Sequence, residues 1–157
     1  MTDLAQDILT LALEKNFKIT TAESCTGGLI AAALTELPGS SGAFERGFVT
    51  YSNAAKIEML DVQPSTLAQF GAVSSEVALE MAEGALRHSA ADIAMSVTGI
   101  AGPSGSEFKP EGRVCFAIAS KNMNTQVETI EFGALGRVKV RQAALIHALK
   151  RFRRILA

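Results

Sequence analysis

The stretch TTAESCTGGLIAAAL, residues 20–34, carries β-branched residues on one side and an alanine- and leucine-rich run on the other. Between them stand Ser24-Cys25-Thr26-Gly27-Gly28. Threonine and isoleucine are stiff at χ1 and suit a pleated strand, whereas alanine and leucine are strong helix formers. Paired glycines let the chain turn between the two. The stretch therefore predicts a strand over Lys18–Glu23, and a helix from Gly27 that stops at Leu37-Pro38-Gly39. Two readings of the junction stand side by side. Ser24 and Thr26 either cap a helix or carry chemistry on a strand-to-helix turn.

Working outward, Leu4, Ile8, Leu11 and Leu13 recur at helical spacing over residues 3–15. AFERGFVTYS, residues 43–52, predicts a second strand, with Ser52 or Asn53 capping a helix through AAKIEML. Pro64 opens a short helical turn, and SSEVALEMAEGALRHSAA, residues 74–91, predicts a long helix capped by Ser74 or Ser75. DIAMSVTG is a buried strand followed by the loop IAGPSGSEFKPEG. RVCFAIAS and QVETIEF are strands joined by a polar turn at Lys121–Asn124, and Arg137–Leu156 is a closing helix. The alternation predicts an α/β fold over residues 1–157: a single-domain layered sandwich whose β-sheet is covered by helices. The last two strands lie across a short turn, so the sheet is expected to be mixed. Ligands of such folds gather where strands end and helices begin, and three unusual loops fall there: after Glu23, Thr50 and Val97.

Composition narrows the partners. With 48% hydrophobic and 20% charged residues the chain is globular rather than disordered, and a net charge of −1 provides no field for nucleic acid or a membrane surface. No apolar run reaches the roughly 18 residues of a membrane span. The acidic, helical N-terminus is unlike a signal peptide. Two cysteines, Cys25 and Cys115, are too few for a disulfide framework. A cytoplasmic protein with reduced thiols is expected. The basic run Lys150, Arg151, Arg153 and Arg154 reads as a solvated helix end.

A serine hydroxyl needs a base to act as a nucleophile. His88 and His147 both fall in predicted helices away from the loops, which speaks against a Ser-His-Asp triad. In FVTYSNAAK, Tyr51 is the only tyrosine and Lys56 follows it in the opening turn of a helix. Both the helix dipole and partial burial there favour a neutral amine, as a general base requires; a solvated surface lysine is the alternative. Thr98-Gly99 and Ala101-Gly102-Pro103 follow a buried strand, where freed N–H groups suit a phosphate or ribose. The spacings of the Walker loop, the dinucleotide fingerprint and zinc sites are all missing, while scattered Glu23, Glu36 and Glu45 leave magnesium open. Cys25 is either a nucleophile or an inward-pointing apolar filler.

Taken together, TAESCTGG (21–28), GFVTYSNAAK (47–56), TGIAGPSG (98–105) and KPEG (109–112) resemble the CinA C-terminal-domain family of nicotinamide-mononucleotide amidohydrolases. At Glu111 that family more often has valine. The resemblance spans the whole chain, which reads as the stand-alone form without an extra N-terminal domain. It implies hydrolysis of the carboxamide of nicotinamide mononucleotide to nicotinate mononucleotide and ammonia, with no metal or cofactor. Ser24 would be the nucleophile, Lys56 the base and Tyr51 the assisting residue. Thr26, Gly27 and Gly28 would hold the oxyanion or part of the substrate, and Thr98, Gly99, Ala101 and Gly102 the ribose phosphate. The approach to the last helix, Ala134-Leu135-Gly136-Arg137, departs from the family's Gly-Asp-Arg-like pattern, so Arg137 and Arg141 are both candidate phosphate ligands. The implied partners are the small-molecule substrate and further copies of the chain, a dimer being favoured. The competing reading is a pyridine-nucleotide-binding module without catalysis.

Overall fold

A computed structural model describes residues 1–157. The elements run α1 (Thr2–Glu14), β1 (Ile19–Glu23), α2 (Leu29–Thr35), β2 (Phe44–Val49), α3 (Asn53–Leu60), α4 (Pro64–Phe70), α5 (Ser75–Arg87), β3 (Ile93–Gly99), β4 (Arg113–Ser120), β5 (Met123–Glu131) and α6 (Arg137–Leu156). They build one five-stranded mixed sheet, ordered β2-β1-β3-β4-β5. β1 pairs in parallel with both β2 and β3, and β3, β4 and β5 pair antiparallel. No helix is long and apolar enough to cross a membrane.

Right-handed crossovers dictate the layers. The chain leaves β1 through α2 to reach β2 on one side, then returns through α3, α4 and α5 to β3 on the other. Crossovers of one hand running in opposite directions must cover opposite faces. Accordingly Ile19, Met95, Val97 and Phe116 pack with Ile8, Ile30, Leu145 and Phe152 on the α1/α2/α6 face. Ala22, Phe48 and Ala94 pack with Leu60, Val77 and Met81 on the α3/α5 face. The carboxyl end of β1 is the point where the two crossovers diverge, and a crevice opens at such a point.

Several boundaries differ from the sequence expectation. Gly27 and Gly28 have φ of 58° and 100°, outside the helical region, so α2 starts at Leu29. β2 ends at Val49 because Thr50–Ser52 leave the sheet to enter α3. Ser120 pairs with Met123 across a two-residue turn, so β5 begins within the expected polar turn. α5 stops at Arg87, with His88 closing it.

Candidate active site

Side chains alternate along a strand, and β1 uses both faces. Ile19 and Glu23 point towards α2; Ala22 and, one step past the strand, Ser24 point towards α3. Glu23 is wholly buried, and its two carboxylate oxygens accept the N–H groups of Ile30 and Ala31, each at 3.0 Å. The start of α2 is thereby capped from within and is no open anion site. Ser24 stays in register with the sheet, its N–H donating to the Val97 carbonyl at 2.9 Å.

Across the crevice, Ser52 caps α3, its hydroxyl accepting from the Ala55 N–H at 3.0 Å. The cap sets the helix phase that turns Lys56 inward, to 1% exposure. The Lys56 amine lies 3.0 Å from Ser24 Oγ, 2.9 Å from the Thr50 carbonyl and 3.3 Å from the Tyr51 carbonyl. Burial holds its pKa below the ordinary lysine value, opposed by the charges of Cys25 and Glu107. Two carbonyls can only accept and take two of its N–H groups; in the neutral amine the third position is a lone pair facing the Ser24 hydroxyl. Cys25 turns into the opposite core, where burial pushes its thiol up to about 12, the range of an unreactive filler rather than a nucleophile.

A cavity of about 170 Å³ opens over the pair, walled by Ser24, Cys25, Tyr51, Lys56, Thr98 and Arg137 among others. A second recess of about 240 Å³, lined by residues 99–107 with Val73 and Arg137, adjoins it. Of the expected binding residues, Thr98 lines the inner cavity, Gly102 the outer recess, and Gly99, Ala101 and Arg137 both. The Thr98 hydroxyl is spent on the Ala72 carbonyl at 2.8 Å. Arg137 donates to the Gly102 carbonyl at 2.8 Å and to the Tyr51 hydroxyl. Tyr51 is 59% exposed, and its hydroxyl meets this guanidinium rather than Ser24.

Thr26, Gly27, Gly28 and Arg141 stand outside both recesses. Thr26 is wholly buried, the Gly27 N–H donates to the Ser24 carbonyl, and Arg141 reaches the carbonyls of Cys25 and Thr26 from behind the turn. The histidines are equally remote: His88 pairs with Asp61 and His147 with Glu128. Sequence reasoning missed the wall formed by Ala72 and Val73, between α4 and α5, which no polar residue marks. It also missed the Glu23 cap. An acidic residue directly before Ser24, at the end of a buried strand, was the available signal.

Fold and crevice define the class: an α/β protein whose strand ends join a serine hydroxyl to a buried lysine amine. The chain belongs to the CinA family, whose C-terminal-domain model matches residues 1–156. The structure of the competence/damage inducible protein CihA from Agrobacterium tumefaciens superposes with a TM-score of 0.94, at 48% identity, over 99% of this chain and 94% of that one. The nicotinamide-nucleotide amidohydrolase PncC of Enterobacter agglomerans is 49% identical over 94% of this chain and 90% of that protein. Other relatives are longer. This chain is 48% identical over 98% of its length to one from Caldicellulosiruptor saccharolyticus and spans 37% of it.

Proposed function

We propose that this protein hydrolyses the carboxamide of nicotinamide mononucleotide, releasing ammonia and nicotinate mononucleotide. The observation that carries the reading is the 3.0 Å approach of the Lys56 amine, desolvated and depressed in pKa, to Ser24 Oγ. The likeness to PncC supports the substrate. As Ser24 Oγ attacks the carboxamide carbon, Lys56 takes its proton. The carbonyl π electrons move onto oxygen. Among the N–H groups of the turn without an oxygen acceptor, that of Cys25, whose neighbour is its own thiol, belongs to a residue lining the cavity, and it is proposed as the oxyanion donor. Collapse of the intermediate expels the amide nitrogen, which leaves as ammonia with the proton from Lys56. Water, deprotonated by Lys56, then attacks the acyl carbon; the C–Oγ bond breaks, Lys56 returns the proton to Ser24 Oγ, and nicotinate mononucleotide leaves.

Tyr51 assists by orientation. Its carbonyl steadies Lys56 and its hydroxyl steadies Arg137. Arg137 and the uncapped N-terminus of α6 present positive potential to a phosphate in the outer recess, where residues 99–102 contact the ribose. No step is assigned to a metal. The same reading proposes a cytoplasmic homo-oligomer, a dimer being favoured; light scattering tests the second point.

The deciding experiment measures ammonia release from nicotinamide mononucleotide in the presence of a chelator. Release by the unmodified protein and its loss in Ser24→Ala, with binding retained, are expected. Thermal stabilisation by the nucleotide without any ammonia overturns the enzyme reading in favour of a binding module.

A further inference from the structure

The turn that carries Ser24 is gripped from the side away from the cavity. Arg141 Nε donates to the Cys25 carbonyl at 3.1 Å and Nη2 to the Thr26 carbonyl at 3.3 Å. The guanidinium forms no ion pair, and a Cβ on Gly27 would sit 3.3 Å from Nη2. Arg141 thus lies directly against the backbone of the turn and lines neither recess. It also stands in the opening turns of α6 beside Arg137 and Lys139, with no acidic residue in the first turn. Cations are unfavourable there, where the helix dipole is positive. Packing two backbone carbonyls offsets that cost.

We propose that Arg141 is a positioning residue that presets the nucleophile and its oxyanion donor; the inference rests on the reaction proposed above. Each peptide unit is a rigid plane, its C=O and N–H pointing opposite ways. Arg141 fixes the planes 25–26 and 26–27 through their carbonyls. The Gly27 N–H, donating to the Ser24 carbonyl at 3.0 Å, fixes the plane 24–25. With three consecutive planes held, the Cys25 N–H keeps one direction and the Ser24 Cα–Cβ bond keeps its aim at Lys56. The guanidinium charge adds positive potential behind the carbon that Ser24 attacks, favouring the oxyanion.

The test compares Arg141→Met and Arg141→Lys with the unmodified protein on nicotinamide mononucleotide and on nicotinamide riboside, which lacks the phosphate. A positioning role predicts that Arg141→Met lowers kcat about a hundredfold on both compounds and leaves KM within about threefold. Arg141→Lys should recover part of the loss, and labelling of Ser24 by a fluorophosphonate should slow in parallel. A rise in KM for the mononucleotide with the riboside unaffected makes Arg141 a phosphate ligand and overturns the proposal; so does an unchanged kcat. Should Arg141→Met fail to fold, kcat of Arg141→Lys decides by the same criterion. If the unmodified protein cleaves neither compound, the amidohydrolase reading fails, and the labelling rates alone decide the role of Arg141. A Ser24 that resists labelling as well sinks both.

Discussion

Glu23 and Ser24 are adjacent in the chain, yet their side chains leave the sheet on opposite faces. The carboxylate closes the start of α2 at 3.0 Å, and the hydroxyl meets Lys56 at the same distance on the other side. A slip of one residue in β1 would exchange them. A carboxylate beside Lys56 would then favour the ammonium form of the amine and remove the proposed base.

Glu23→Gln retains the shape and discards the charge. One amide oxygen can still accept, but the amide nitrogen faces a second N–H donor. A loss of about 1–3 kcal/mol in urea unfolding is expected, along with a lower kcat as the Ser24 turn loosens. Unchanged stability would show that the cap contributes little.

Gly84 on α5 supports the site from a distance. A Cβ there would lie 1.9 Å from the carbonyl oxygen of Leu60, the last residue of the helix that carries Lys56. Backbone cannot yield as a flexible side chain does. Gly84→Ala is expected to destabilise by about 1–3 kcal/mol and to lower ammonia release by moving α3 away from β1. Wild-type kcat in this variant would contradict the packing argument.

Burial acts on two groups of the turn and its partner with opposite signs. The Lys56 amine is held below 10.5, so its contribution to stability is complete above 10.5 and is lost as the pH falls through the lowered value. The Cys25 thiol is raised from 9.0 to about 12, so its contribution is complete below 9.0 and is lost as the pH climbs towards 12. Urea titrations across this range should show Lys56→Met flattening the first dependence and Cys25→Ala the second. In the same window kcat/KM should rise along a limb centred below the ordinary lysine value. A limb at 10.5 would mean an unperturbed amine.

Arg137→Ala tests the outer recess. KM for nicotinamide mononucleotide should rise about tenfold or more, with a smaller effect on the riboside. Equal losses on both compounds would assign Arg137 to the chemistry through Tyr51 rather than to the phosphate.

Much of this architecture is legible in the residues because strand and helix impose different periods. The buried run of β3 and the 3.6-residue pattern of α5 mark themselves. Ser24, Tyr51 and Lys56 stand out because polar groups at strand ends lack a reason in packing alone. Burial of Lys56 is less visible, since a lysine is written the same whether its amine meets water or two carbonyls. The partnership of Arg141 with Thr26 spans 115 positions, and no local pattern encodes it. Ala72 and Val73 look like ordinary core residues, although they wall the cavity. α2 starts two residues past the expected Gly27 because the left-handed φ of Gly27 and Gly28 belongs to the turn and not to composition.

The position of β1 between β2 and β3 also schedules when reactivity can arise. A nascent chain displays Ser24 and Lys56 early, yet the Ser24 amide docks on Val97 and its turn is gripped by Arg141, both synthesised much later. The hydroxyl and the amine thus emerge from the ribosome as an inert pair. Appearance of amidase activity during refolding should accordingly track closure of the whole sheet and arrival of the last helix, making turnover a sensitive reporter of completed folding.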